Sequence, residues 1–200
     1  MKYNLPSKKY KVIYADPPWQ YSSKHYQDGG RDFKDLKNYY NTMSLQELKN
    51  LPIELISDKD CACFMWVTDS HLYEGVEVLK AWGFQYKTIA FHWVKKTKHG
   101  NIAINTAPWT LKSSELCILG TKGRVSKYKV SNNVRALIEA ERTDHSKKPN
   151  EARNRIETLF GGVPKIELFA RERFDGWDSW GDQLHDEDKE KDAFSENKNK

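Results

Sequence analysis

Short apolar runs separated by polar, turn-rich stretches set the rhythm of this 200-residue chain. Val12-Ile13-Tyr14-Ala15 is continuously apolar and stops at Asp16-Pro17-Pro18. It reads as a buried strand, because two prolines cannot donate to a ladder. Ser44-Leu45-Gln46-Glu47 has the spacing of a capping box and predicts a short helix that fails by Pro52. Cys61 to Val67 is a second apolar run of strand length. Asp69 or Ser70 is then placed to cap a helix through Trp82, with Gly83 at its C′ position. Phe84 to Trp93, Glu115 to Gly120 and Val134 to Ala140 read as further strands. Pro149 suits the first turn of a helix to Phe160, closed by Gly161-Gly162, and Lys165 to Ala170 reads as a last strand. Residues 20–38 and 95–113 are long polar loops, and loops of that length are uncommon unless they bind or cover something.

Strands alternating with helices predict an α/β fold, a mostly parallel sheet with helices on both faces. In such sheets ligands sit beyond the carboxyl ends of the strands. Asp16 and the segment after Phe169 both fall there. The pattern accommodates one domain over residues 1–184 and a charged tail over 185–200, expected to be disordered.

Composition narrows the partner. The chain holds 33 Lys+Arg against 28 Asp+Glu, for a net charge of +5. The last sixteen residues carry six acids and four bases, so the preceding 184 residues hold +7 of that total. A basic body with seven Trp, ten Tyr and eight Phe fits nucleic acid, although a solvated lysine-rich surface has the same composition. No apolar run is long enough to span a membrane, and no signal-peptide pattern opens the chain, so a cytoplasmic location is expected. Three cysteines are too few for a disulfide framework and lie in apolar runs, which predicts buried thiols and no metal site.

The sharpest local chemistry is Asp16-Pro17-Pro18-Trp19. The exocyclic amine of a nucleobase is a poor nucleophile, because its lone pair is delocalised into the ring. Two acceptors, the Asp16 carboxylate and the Pro17 carbonyl, would hold that nitrogen closer to sp³ and stabilise the positive charge that develops on it. Pro17 and Pro18 stiffen the loop, and Trp19 could stack on a base taken out of its helix. The plain alternative is an Asp-Pro turn with Trp19 in the core.

With these residues in view, the sequence resembles the MT-A70 family of N6-adenine methyltransferases. Family-like segments follow in order from Lys11 to Leu184: Ala15 to Trp19, Tyr40 to Ser44, Phe64 to Thr68, Trp93 to Lys95, Ser114 to Gly120, Ser146 to Pro149, Ile166 to Arg171, and Trp180 to Leu184. The resemblance implies a Rossmann-like methyltransferase fold using S-adenosylmethionine, with the catalytic motif before the cofactor-binding half. That order accounts for the lack of a glycine-rich loop after the first strand. It also implies a cofactor site drawn from Asp16, Pro17, Lys148, Phe169, Arg171, Asp182 and Gln183. There Lys148 would face the methionine carboxylate, Phe169 the adenine, Arg171 the ribose region, and Asp182 with Gln183 the ribose or adenine edges. Asp182 stands where relatives carry Asn. Acceptor-side residues would be Trp19, Tyr40, His145 and Lys147.

The expected activity is therefore methyl transfer to adenine N6 in nucleic acid, DNA in preference to RNA, by a monomer or weak dimer. RNA adenine or cytosine N4 methylation is the narrower alternative, and a non-catalytic nucleic-acid-binding scaffold the wider one. The two long loops, 20–38 and 95–113, would then carry target recognition. Lys95, Lys96 and Lys98, with Arg31 and Lys34, could contact phosphates, although as a charge run they read as a wet basic face, and Trp177 and Trp180 read as packing residues.

Overall fold

A computed structural model describes residues 4–20, 42–107, 109–143, 147–182 and 184. The expected tail at 185–200, the body of the first long loop, and Tyr40, His145 and Gln183 lie outside the described residues. Among the described residues seven strands form one sheet: β1 (Tyr10–Ala15), β2 (Ser57–Val67), β3 (Gln85–Lys96), β4 (Ser114–Lys122), β5 (Leu137–Glu141), β6 (Lys165–Leu168) and β7 (Asp178–Trp180). Their order is β5-β3-β4-β2-β1-β6-β7. Only β4 runs against the others, antiparallel to both β2 and β3. The four remaining pairings are parallel, so the sheet is mostly parallel, as the alternating pattern predicts.

Each central strand is apolar on both sides because both sides are covered. On one face Ile13, Ala15, Cys63, Met65, Ile118 and Leu168 pack with Leu48 and with Val78, Leu79 and Trp82. These last come from α1 (Leu45–Lys49) and from the end of α2 (Leu72–Ala81). On the other face Val12, Tyr14, Phe64, Trp66, Phe91 and Trp93 meet Ala152, Ile156 and Phe160 of α3 (Asn150–Phe160). The period-two alternation along β1 thus splits its residues between two cores. The three cysteines are buried free thiols, and burial pushes Cys61 up to about 12.

Local signals place most boundaries. The capping box at α1 is complete in both directions, Ser44 to Glu47 and back. Gly83 takes φ 83° and ends α2 as expected. The start of that helix corrects the sequence reading: Asp69–His71 form a 3-10 turn, and neither Asp69 nor Ser70 caps α2, whose first residue is Leu72. The last expected strand is also shorter. β6 stops at Leu168 because Phe169 adopts φ 60°, which takes the chain out of the ladder. β7 is the element the apolar pattern does not reveal.

Candidate active site

The carboxyl ends of β1, β3, β5, β6 and β7 share one edge of the sheet, and antiparallel β4 brings its first residues to the same edge. Asp16 follows β1 directly. Lys148 precedes α3, whose N-cap Pro149 has φ −63°. The first turn of α3 is fixed to β6 by buried Arg153, which pairs with Glu167 at 2.8 Å. Arg153 also lies 3.4 Å from the Phe174 ring centroid. Burial raises Glu167, and the Arg153 charge opposes that rise.

Lys148 Nζ lies 3.0 Å from Asp16 Oδ1 and 3.1 Å from Glu115 Oε2. Glu115, the second residue of β4, takes Lys95 Nζ on its other oxygen at 2.5 Å. The result is an alternating chain of charges, Asp16–Lys148–Glu115–Lys95, with side chains 11–23% exposed. Burial is the largest influence on every titrating member whose pKa moves, but the outcomes differ. Burial alone would depress the Lys148 ammonium; Asp16 and Glu115 more than reverse this and leave it raised. Burial would raise Glu115, and Lys148 with Lys95 bring it below the usual carboxylate range. Asp16 stays raised: burial and the neighbouring Glu115 charge outweigh the help of Lys148 and Arg171. It is the carboxylate of the chain whose ionised form is least supported.

The rest of the tetrapeptide is fixed by backbone and packing. The Trp19 N–H donates to the Pro17 carbonyl at 2.9 Å, and the Met43 N–H to the Pro18 carbonyl at 2.9 Å. Trp19 is 7% exposed, and its indole N–H donates to the Trp66 carbonyl at 3.1 Å. His71 stacks on the Trp19 ring with centroids 5.3 Å apart. Burial lowers the pKa of His71, which favours the neutral ring. Trp19 is therefore a core residue here, as the plain alternative has it.

The remaining site residues fall around this edge. Phe169 packs edge-on against Trp180, with centroids 5.6 Å apart. Arg171 is half-buried close enough to act electrostatically on Asp16. Asp182 is exposed just past β7. Lys147 is not at the pocket's charge chain but pairs with Glu172. Gly181 approaches the Phe169-Ala170 turn so closely that a Cβ there would lie 2.3 Å from the Ala170 carbonyl oxygen.

Sequence reasoning missed Glu115, Lys95 and His71. Glu115 carried a faint signal, an acid opening an apolar strand. Lys95 reads as surface in the sequence yet is half-buried and paired, so the wet-face reading is corrected for that residue. Lys96 is likewise half-buried and pairs with exposed Glu139, whereas Lys98 is exposed.

The chain is similar to known methyltransferases over most of its length. The MT-A70 family model matches residues 10–183. A type II methyltransferase of Mycoplasma sp, M.MunI, is 36% identical over 194 residues, 91% of this chain and 81% of the relative. The human N6-adenosine-methyltransferase catalytic subunit METTL3 is 30% identical over 180 residues, 88% of this chain and 28% of the relative. An Arabidopsis thaliana MT-A70-like N6-adenosine-methyltransferase is 31% identical over 179 residues, 87% of this chain and 24% of the relative. This chain thus spans about a quarter of the length of the two adenosine methyltransferases.

Proposed function

The chain belongs to the MT-A70 family of methyltransferases, and from that premise we propose that it methylates the exocyclic N6 amine of adenine in nucleic acid, DNA in preference to RNA. The methyl donor is S-adenosylmethionine. The observation that carries this reading is the Asp16 carboxylate. It stands at the end of a central strand, braced by Lys148, yet is raised in pKa and so ready to accept from an incoming N–H group.

The residues at this edge suit the donor. S-adenosylmethionine presents a carboxylate, a ribose diol and an adenine ring. Lys148 and Arg171 offer cations for the carboxylate and ribose regions, the Phe169–Trp180 pair offers aromatic surface, and exposed Asp182 can accept from hydroxyls. The close approach of Gly181 to Ala170 leaves no room for a side chain between the ends of β6 and β7.

When bound, S-adenosylmethionine supplies a methyl carbon activated by a positively charged sulfur. Asp16 and the Pro17 carbonyl would accept the two N6–H groups, draw the lone pair out of conjugation and stabilise the charge gained as the N–C bond forms and the sulfur–methyl bond breaks, leaving a neutral thioether. The Pro17 carbonyl already accepts from Trp19, and its second lone pair can serve the amine. Lys148 favours the ionised form of Asp16 beforehand. Burial makes the same carboxylate a better proton acceptor for the proton that the nitrogen must release.

DNA is favoured because a match that runs over most of both chains is to a type II methyltransferase, whereas the two adenosine methyltransferases match through about a quarter of their length. A cytoplasmic location belongs to the same proposal. Among the described residues no helix is long and apolar enough to cross a membrane. Mass spectrometry of nucleosides, after incubating unmethylated DNA or RNA with enzyme and donor, tests this reading. N6-methyldeoxyadenosine is expected. N4-methylcytosine, or product in RNA alone, would overturn the assigned base or polymer.

A further inference from the structure

Among the seven tryptophans, six are buried or half-buried and one is not: Trp109 is 95% exposed. It stands in the stretch 97–113, part of the polar loop 95–113 that sequence reading names as a carrier of target recognition, and the described residues of that stretch form a braced arm. Lys96 bridges to Ile102, and Asn105 and Lys112 exchange both backbone hydrogen bonds at 2.8 and 2.9 Å. Ala103 is buried at its base and donates to the Lys95 carbonyl at 2.8 Å. Arg142 holds the Asn105 side chain at 3.0 Å, and Lys112 pairs with Asp69 at 3.1 Å. The arm is thus tied to its body on several sides while its tip, with Trp109 and Leu111, faces solvent.

Position and charge say what the tip meets. Asp69 opens the turn that carries His71, the residue stacked on Trp19, so the arm is anchored beside the Asp16 edge. Lys98, His99 and Lys112 lie in residues 97–113, and the stretch contains no Asp or Glu. With Lys112 paired to Asp69, an arm that carries Lys98 and no acid, with an apolar tip, suits a polyanion with stackable rings. A second copy would oppose two arms of like charge.

We propose that the 97–113 arm is a nucleic-acid contact and that Trp109 stacks on bases beside the target nucleotide. This rests on the reading of the chain as an enzyme acting on nucleic acid. Taking a base out of a duplex breaks its stacking, and an aromatic side chain at the tip of a braced arm replaces part of that contact. Any base offers a π face, so this contact strengthens binding without setting the recognition sequence.

The test uses the full chain, a short mixed-sequence DNA duplex and acrylamide quenching of tryptophan fluorescence. The duplex should shield an exposed tryptophan, and Trp109→Phe should abolish that quenchable component. Trp109→Ala should weaken duplex binding about tenfold, the size of a lost base–aromatic contact. Trp109→Phe should retain most of the affinity, and Tyr86→Ala, at the opposite end of β3, all of it. Two results would overturn the proposal. One is shielding that follows protein concentration and ignores DNA, which makes the tip a contact between copies. The other is no shielding, with Trp109→Ala binding as the unaltered chain does. Because these readouts are of binding, shielding without methyl transfer would count against the enzymatic reading and leave the arm in place.

Discussion

Two aspartates at opposite edges of the same sheet have been treated in opposite ways. Asp60, near the start of β2, has both carboxylate oxygens occupied: the Arg124 N–H donates to Oδ1 at 2.7 Å and Lys127 Nζ to Oδ2 at 2.5 Å. Those two bonds, Lys127 first, hold it below the usual carboxylate range. Gly123 closes the turn over it with φ 61°, where a Cβ would lie 2.2 Å from Asp60 Oδ1. Asp16 is held by Lys148 through Oδ1, and its pKa is raised by burial despite that lysine. One carboxylate is satisfied by its own fold and held low, and the other, held by one lysine and raised by burial, is the one we propose accepts from a substrate amine. A buried polar group that its own chain fails to stabilise fully is where function is expected.

That contrast breaks if the two residues respond alike. Asp16→Ala should cut methyl transfer by a factor on the order of 10²–10³, the usual consequence of losing a group aimed at transition-state charge. Its thermal melting should hardly change. Asp60→Ala should do the reverse, lowering Tm by several degrees while turnover per folded molecule holds. Steady-state rates beside melting curves separate the two.

Lys148→Met leaves Asp16 and Glu115 as neighbouring carboxylates with no cation between them. At neutral pH, transfer should fall by about ten- to a hundredfold, in line with the loss of a charge-assisted bond. The removed charge had lowered the Asp16 pKa, so the acid limb of the pH–rate profile should move to higher pH. An unmoved limb would show that Lys148 does not act through Asp16. At the other edge, Gly123→Ala should cost about 1–3 kcal/mol of unfolding free energy in urea, from overpacking against Asp60 and the strained backbone. The smallest expected effect sharpens the comparison most. Glu115→Gln removes a negative charge that raises Asp16, so its acid limb should shift to lower pH, opposite in sign to Lys148→Met.

The framework of this fold was readable where the chain signals locally. The apolar run ended by Asp16-Pro17-Pro18, the Ser44/Glu47 box, the helix stop at Gly83 and the helix after Pro149 all depend on neighbours in sequence. What could not be read depends on strand order. β7 is three residues with no apolar run and takes its place by pairing with β6. Phe169 leaves the ladder through a backbone conformation that its side chain does not advertise. The Asp16 motif was visible for the same local reason as its strand. Its supports were not: Glu115 and Lys95 lie 20 residues apart and meet only because β4 runs antiparallel to β3. Lys148 was singled out by resemblance, for the methionine carboxylate, and the structure adds its grip on Asp16. Trp19 read either as a stacking surface or as a core residue; the structure buries it beneath His71.

The most direct test of the Asp16 account is the single-turnover rate of methyl transfer as a function of pH, for the unaltered chain and for Asp16→Asn. The unaltered enzyme should lose activity as acid protonates Asp16, with a midpoint above the ordinary aspartate value of 3.8 because burial raises this group. Asp16→Asn should be slow throughout and show no such limb. A variant that kept both the rate and the limb would place the accepting group elsewhere and contradict the account.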